Sequence, residues 1–188
     1  MQPIKCKAAI LYEIGKPLKI ENVLIDVPGE DQVRLQIVSA GLCASDAHHV
    51  WGEQELPAQF LPMVMGHEGA AIVESVGANV TSFKTGDFVL TTFMPQCRKC
   101  SVCLNPRTNL CEKENGMAVM SQANKKLASN NSDIFGYCGL GTYSEFILVR
   151  FSQIVKVSYF FMPLIVIFTF FLFLQIENSF VNLKKLEN

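Results

Sequence analysis

The sequence predicts a mainly β fold, a barrel or sandwich built from short strands. Three observations carry this. Apolar and polar residues alternate in short runs, of which Val33-Arg-Leu-Gln-Ile-Val38 is the cleanest, and alternation with a period of two is what a half-buried strand requires. Gly, Pro and Asp turns such as Gly15-Lys-Pro17 and Thr85-Gly-Asp87 separate the runs. No regular strand–helix–strand pattern and no internal repeat is present, which argues against a parallel sheet.

Taken in order, Lys7-Ala-Ala-Ile-Leu-Tyr12 reads as a strand, followed by the turn at Gly15 to Pro17. Leu18 to Leu24 alternates partly, and Asp26 to Asp31 is a polar connection to the strand at Val33 to Val38. Gly69-Ala-Ala-Ile-Val-Glu-Ser-Val-Gly77 is a more continuous apolar run closed by glycine, and Phe88 to Phe93 is a further strand. Glu112 to Asp133 is polar and weakly patterned, so a long surface loop is expected there. Gly136-Tyr-Cys-Gly139-Leu-Gly141 reads as a bend, and strand character returns from Gly141 to Val149.

At 188 residues the chain is long enough for one domain with a full core and short for two. The net charge of −1 argues against a nucleic-acid partner. The N-terminus has no apolar stretch long enough for a secretory signal. Seven cysteines without an export signal imply a reducing, cytoplasmic setting in which thiols bind metal. Mean hydropathy is +0.25, high for a soluble domain, and the excess lies largely at the end of the chain.

Chemistry concentrates in three places. Cys97, Cys100, Cys103 and Cys111 present four thiols at spacings of three, three and eight. Two overlapping C-x-x-C turns and a returning loop close a tetrahedron, which suits Zn²⁺ in a structural site with no open position. Disulfides and an iron–sulfur cluster are the alternatives, and spacing favours zinc. The second place is Gly41-Leu-Cys43-Ala-Ser45-Asp46-Ala-His48, and the third is Gly66-His67-Glu68-Gly69. Cys43, His67 and Glu68, all expected on strand-flanking loops, are the ligand types of an open, catalytic zinc site. Neither segment is specific alone, because a lone Cys is commonly an inert core residue. Asp46 equally suits a turn or helix cap, and His48 and His49 equally suit an exposed surface.

Together, Cys43-x-Ser-Asp-x-His48, Gly66-His67-Glu68-Gly69 and the four later cysteines resemble the zinc-dependent medium-chain alcohol dehydrogenases. Lys5-Cys-Lys-Ala-Ala, Val73-Glu-Ser-Val-Gly77, Pro95-Gln-Cys97 and Gly141-Thr-Tyr-Ser-Glu-Phe146 extend the likeness. The resemblance implies a GroES-like catalytic domain over residues 1–157, a partly open β-barrel with a structural-zinc lobe at about 95–113. It implies that Cys43 and His67 ligate a catalytic zinc, with Glu68 an outer or transient ligand. Ser45 is expected to accept the proton of a small alcohol, and His48 to pass it to solvent. Hydride would go to NAD in a full-length enzyme, with an aldehyde or ketone as product and a homodimer as the working form. Ala44 stands where many members carry a basic residue that contacts the cofactor's pyrophosphate.

The chain departs from the family after Val157. No G-x-G-x-x-G follows a strand, so no NAD-binding residue is identifiable and NAD binding in the family's manner is not expected. The family's third catalytic-zinc cysteine is missing. Cys138 lies too early to replace it, and both Cys138 and Cys6 are expected to be unliganded. A fragment unable to turn over alone is the main expectation, with a noncatalytic zinc-binding module or a tail-anchored membrane protein as alternatives. Residues 158–188 form an unrelated hydrophobic tail, uncharged between Lys156 and Glu177. As a helix, residues 157–176 would be long enough to span a hydrocarbon core of about 30 Å, with Lys184 and Lys185 as cytoplasmic anchors. The favoured reading differs. Val157-Ser158 is encodable as GTAAGT, a common intron start, and T-rich noncoding sequence yields Phe-rich translation. A retained intron or a misplaced gene boundary is therefore expected.

Overall fold

Among the described residues, 1–114 and 123–158, the computed structural model holds ten strands and one α-helix. The strands are β1 (Ile4–Leu11), β2 (Lys19–Ile25), β3 (Gln32–Gly41), β4 (Met63–Val64), β5 (Glu68–Val76), β6 (Phe88–Thr91), β7 (Ala123–Leu127), β8 (Asp133–Gly136), β9 (Phe146–Arg150) and β10 (Ile154–Lys156). Helix α1 (Ala44–Trp51) follows β3 directly. Strands β1-β2-β7-β8-β4 close into a small barrel, and β10-β6-β5-β3-β9 form a five-stranded sheet. Pairing is antiparallel throughout except between β4 and β8. The mainly β, GroES-like expectation holds.

Alternation explains the packing. Val33 and Leu35 of β3 meet Ala71 and Val73 of β5, Val89 of β6, Ile147 and Val149 of β9 and Ile154 of β10 in one core. Inside the barrel, Ala8 and Ile10 of β1 pack with Val23, Ile25, Val64 and Ile134. A third cluster of Leu11, Leu56, Met63, Met65 and Tyr137 lies nearby. Burying such aliphatic side chains contributes about 1.5–3 kcal/mol each. Arg34, on the opposite face of β3, is also buried. Its Nε donates to Glu74 at 2.6 Å and its Nη1 to the carbonyls of Gln2 and Asp26, so the buried guanidinium is satisfied. The Arg34 guanidinium holds the Glu74 carboxyl below its ordinary range.

Three expectations are corrected. Glu112 to Asp133 is not one long loop, because β7 and the start of β8 fall within it and complete the barrel. Its Ala-Asn-Lys-Lys-Leu strand hides its inward face, since the inward residue Lys125 is a lysine. The segment after Cys43, read as a loop, is helical over its first eight residues. The strand expected from Gly141 starts only at Phe146, with a single earlier bridge between Ala8 and Ser144. The tail, with its membrane-helix and intron readings, lies outside the described residues. Among the described residues no helix is long and apolar enough to cross a membrane.

Lys125 is 3 % exposed and donates from Nζ to the carbonyl of Leu140 at 2.9 Å. Burial pushes its ammonium down to about 7, whereas an unfolded lysine titrates near ~10.4. Between those values the unfolded chain binds the extra proton, so folding stability rises with pH from about 7 to about 10. The slope for one proton is at most about 1.4 kcal/mol per pH unit. Urea unfolding across this window should show that rise in the native chain and its loss in Lys125→Met. Parallel profiles for the two proteins would refute the buried-lysine account.

Candidate functional site

The site forms where β3 runs into α1 and where the chain enters β5. Cys43 is the N-cap of α1, in extended backbone at φ −90° and ψ 147°. Asp46, three residues on, turns its carboxylate back, and Oδ2 accepts from the Cys43 N–H at 3.3 Å. Its other oxygen accepts from the Gly66 N–H at 3.0 Å, which ties the helix start to the loop carrying His67. Gly66 has φ +90°, and a Cβ there would lie 2.5 Å from both Thr142 Oγ1 and Tyr143 Cδ1. Only glycine fits both the backbone and the space.

These tethers bring the donors of Cys43, His67 and Glu68 within 4.8 Å of one another. His67 is buried, and its ring contacts Tyr137 and Phe93 edge-on at 5.4 and 5.8 Å. Its Nε2 lies 4.0 Å from Glu68 Oε1. Asp46 Oδ2 lies 3.3 Å from Nδ1, close enough for charge attraction, yet off the line of a hydrogen bond, so Nδ1 is a buried nitrogen without a hydrogen-bond partner. The Asp46 carboxylate nevertheless holds the imidazole above its ordinary value, against the desolvation that lowers it. A thiol, an imidazole and a carboxylate within that 4.8 Å reach make a donor set that fits zinc with an open position. Ser45 donates from Oγ to Cys43 Sγ at 3.3 Å. His48, one turn further along α1, is half-exposed and bonds through Nδ1 to Glu53.

The second cluster lies in the lobe after β6. The sulfurs of Cys97 and Cys103 are 3.9 Å apart, and those of Cys100 and Cys111 are 4.0 Å apart. With Zn–S bonds of about 2.3 Å, a tetrahedron has S–S edges of about 3.8 Å, so the pocket fits one ion. A disulfide needs about 2.05 Å, and all four cysteines are free. Backbone N–H groups of Cys100, Cys103 and Glu114 point at the sulfurs of Cys97, Cys100 and Cys111 at 3.3–3.4 Å. The Cys103 N–H does most to hold the Cys100 thiol down, to about 6. Arg98 Nη2 donates to the Ile154 carbonyl at 2.8 Å and Gln96 N–H to that of Ser152 at 2.9 Å, which fastens the lobe to the sheet.

Sequence reasoning gave Asp46 only a capping role and overlooked Phe93 and Tyr137. The turn at Tyr137 to Gly139 is held from beneath, by Lys125 Nζ on Leu140 O and by Gln153 Nε2 on Cys138 O at 3.3 Å. The one signal available for it was the run of glycines. Cys138 sits in that turn, where burial pushes its thiol up to about 12. Cys6 is buried in the barrel, its sulfur 3.7 Å from Ser144 Oγ.

Residues 29–159 match the alcohol dehydrogenase GroES-like domain. A geraniol dehydrogenase of Carpoglyphus lactis is 48% identical over 158 residues, which cover 82% of this chain and 42% of that protein. The alcohol dehydrogenase zinc-binding domain protein of Burkholderia ambifaria superposes with a TM-score of 0.72 at 27% identity, covering 84% of this chain and 43% of that one. Benzyl alcohol dehydrogenase of Acinetobacter calcoaceticus gives 0.64 at 25% identity, covering 83% and 42%. The chain spans about two-fifths of the length of these relatives. Motif order, fold and relatives agree, and the chain belongs to the GroES-like-domain family of zinc-dependent medium-chain alcohol dehydrogenases.

Proposed function

We propose that this chain forms the metal-holding part of a zinc-dependent alcohol dehydrogenase that interconverts small primary or secondary alcohols with aldehydes or ketones, using NAD. The observation that carries the reading is the convergence of Cys43, His67 and Glu68 within 4.8 Å from separate segments. Relatives named for geraniol and benzyl alcohol support small alcohols as substrates. In this reading residues 1–157 are the catalytic domain, with the lobe at about 95–113 as its structural-zinc appendage. Cytoplasmic location and homodimer formation belong to the same reading and rest on family resemblance.

Cys43 and His67 hold the catalytic zinc, and Glu68 stands ready as a third donor on the same side of the imidazole. Zinc bound there supplies Lewis acidity that lowers the pKa of an alcohol hydroxyl. Asp46 keeps the His67 ring turned toward Cys43 and Glu68. Phe93 and Tyr137 flank that ring and exclude water from it. Ser45 Oγ takes the substrate's proton, and His48 carries it to solvent from the exposed end of the same helix face, since positions three apart adjoin. Cys97, Cys100, Cys103 and Cys111 hold a second zinc that fixes the lobe. The hydride carrier is held by the nucleotide-binding half that the family supplies, so these 188 residues alone bind zinc without turning over alcohol.

Zinc analysis tests both centres. The purified chain should keep one tight zinc after mild chelation and lose a second, weaker one. Cys100→Ser should lose the tight zinc and several kcal/mol of stability, because structural zinc contributes folding free energy. At about 2–4 °C per kcal/mol for a domain this size, its Tm should fall by roughly 10 °C or more. His67→Ala should keep the tight zinc, lose the weak one and melt close to the native chain. An unchanged Tm in Cys100→Ser would sink the structural-zinc assignment, and full second-site occupancy in His67→Ala would sink the catalytic one.

A separate assay addresses turnover. Incubated with NAD and geraniol or benzyl alcohol, the zinc-loaded chain should form no NADH above background. Zinc-dependent NADH production would show that these residues already contain a working cofactor site.

A further inference from the structure

We infer that Glu53 fixes His48 as its Nδ1–H tautomer and so leaves Nε2 as the ring's proton acceptor, an inference that rests on the proton path proposed above. The geometry starts at the end of α1. Gly52 caps the helix in the left-handed region at φ +81°, and a Cβ there would lie 2.9 Å from Ile14 Cγ2. The chain therefore doubles back, and the N–H groups of Glu53 and Gln54 donate to the carbonyl of His48 at 2.8 and 3.2 Å. This return brings the Glu53 carboxylate onto His48 Nδ1. Main chain and side chain of Glu53 thus both engage the same histidine.

An ionised carboxylate has lone pairs and no proton, so the ring nitrogen facing it must be the N–H. The neutral imidazole then keeps its free lone pair on Nε2. A histidine free in water favours the opposite form, Nε2–H, which would leave Nδ1 as the acceptor and turn the donor-only nitrogen toward other partners. The His48 and Glu53 side chains are 42 % and 56 % exposed, so their pairing adds little to stability. What it changes is which nitrogen can take a proton. The neighbouring His49 shows the same preference, with Nδ1 3.3 Å from the Gln54 carbonyl, but its ring lies edge-on against Tyr137 at 5.4 Å. His48, three positions from Ser45 on the same helix face, is the histidine of the proposed proton path. Glu53 is accordingly a positioning residue that acts through His48.

Two-bond ¹H–¹⁵N correlation spectra of the zinc-loaded chain, labelled at histidine, report the tautomer directly. Above the ring's titration, His48 should show a protonated-type shift at Nδ1 and a lone-pair-type shift at Nε2. Glu53→Ala should exchange the two patterns, while Glu53→Gln, whose amide oxygen still accepts, should keep the native one. Equal zinc content and unchanged amide spectra away from residues 48–54 would show that both variants fold. An Nε2–H pattern in the native chain, or no change in Glu53→Ala, would overturn the inference. This readout needs neither turnover nor metal at Cys43, so failure of the proposed function through His67→Ala leaves it a separate result.

Discussion

The candidate site depends on one carboxylate. Asp46 sits in the first turn of α1, where a negative charge faces the unpaired N–H groups of the helix start. Its two oxygens bind the N–H groups of Cys43 and Gly66, residues more than twenty positions apart that belong to opposite sides of the site. With both oxygens fixed, the carboxylate can lie beside only one face of His67, and that placement leaves Nε2 directed toward Glu68. A neutral amide of the same size, with one acceptor oxygen, could accept from only one of the two N–H groups. Nor could it raise the basicity of the imidazole, which a metal ligand's partner is suited to do. Burial makes the arrangement more effective, since charge acts more strongly away from water.

The two cysteine-rich places answer different physical demands. In the lobe, the described elements are turns and short loops, with few apolar side chains of their own, and Leu104 and Leu110 point outward. Such a segment cannot bury enough apolar surface to order itself. Four thiols at tetrahedral spacing would let a single ion do that work, and Arg98 and Gln96 tie the lobe to the sheet. At Cys43 and His67 the surrounding order comes from the barrel, the sheet and Asp46. A metal in the proposed site there would have no structural task, so an open position could be kept.

How far the sequence could be read follows from the same contrast. The strands around the sheet's core were legible in two ways, because Val33 and Leu35 alternate with polar neighbours while Val73 and Val89 lie in short apolar runs bounded by Gly and turn residues, and all four pack inward. The four-cysteine lobe was legible because its ligands are close in sequence and their spacing alone sets the geometry. The other centre needed the family likeness, since Cys43 and His67 meet only through folding. β7 stayed hidden because its inward residue is Lys125, a buried lysine whose Nζ donates to the Leu140 carbonyl in the turn after β8. α1 stayed hidden because Ala-Ser-Asp-Ala-His-His-Val-Trp has no apolar stripe, and its one buried residue is Asp46. In both cases an element buries a polar group at a place that positions the site, so a reading based on apolar pattern passes over it.

Exposure sets the direction of the proposed proton path. Asp46 and His67 are buried at the start of α1, Ser45 is half-buried, and His48 in the last turn is open to solvent. In the proposed path, a proton taken near Cys43 would therefore travel from the closed end of an eight-residue helix to its open end. The same turn that ends the helix supplies the Glu53 carboxylate. Helix start and helix end thus each hold one histidine beside one carboxylate, the first among the proposed metal donors and the second on the proposed proton path.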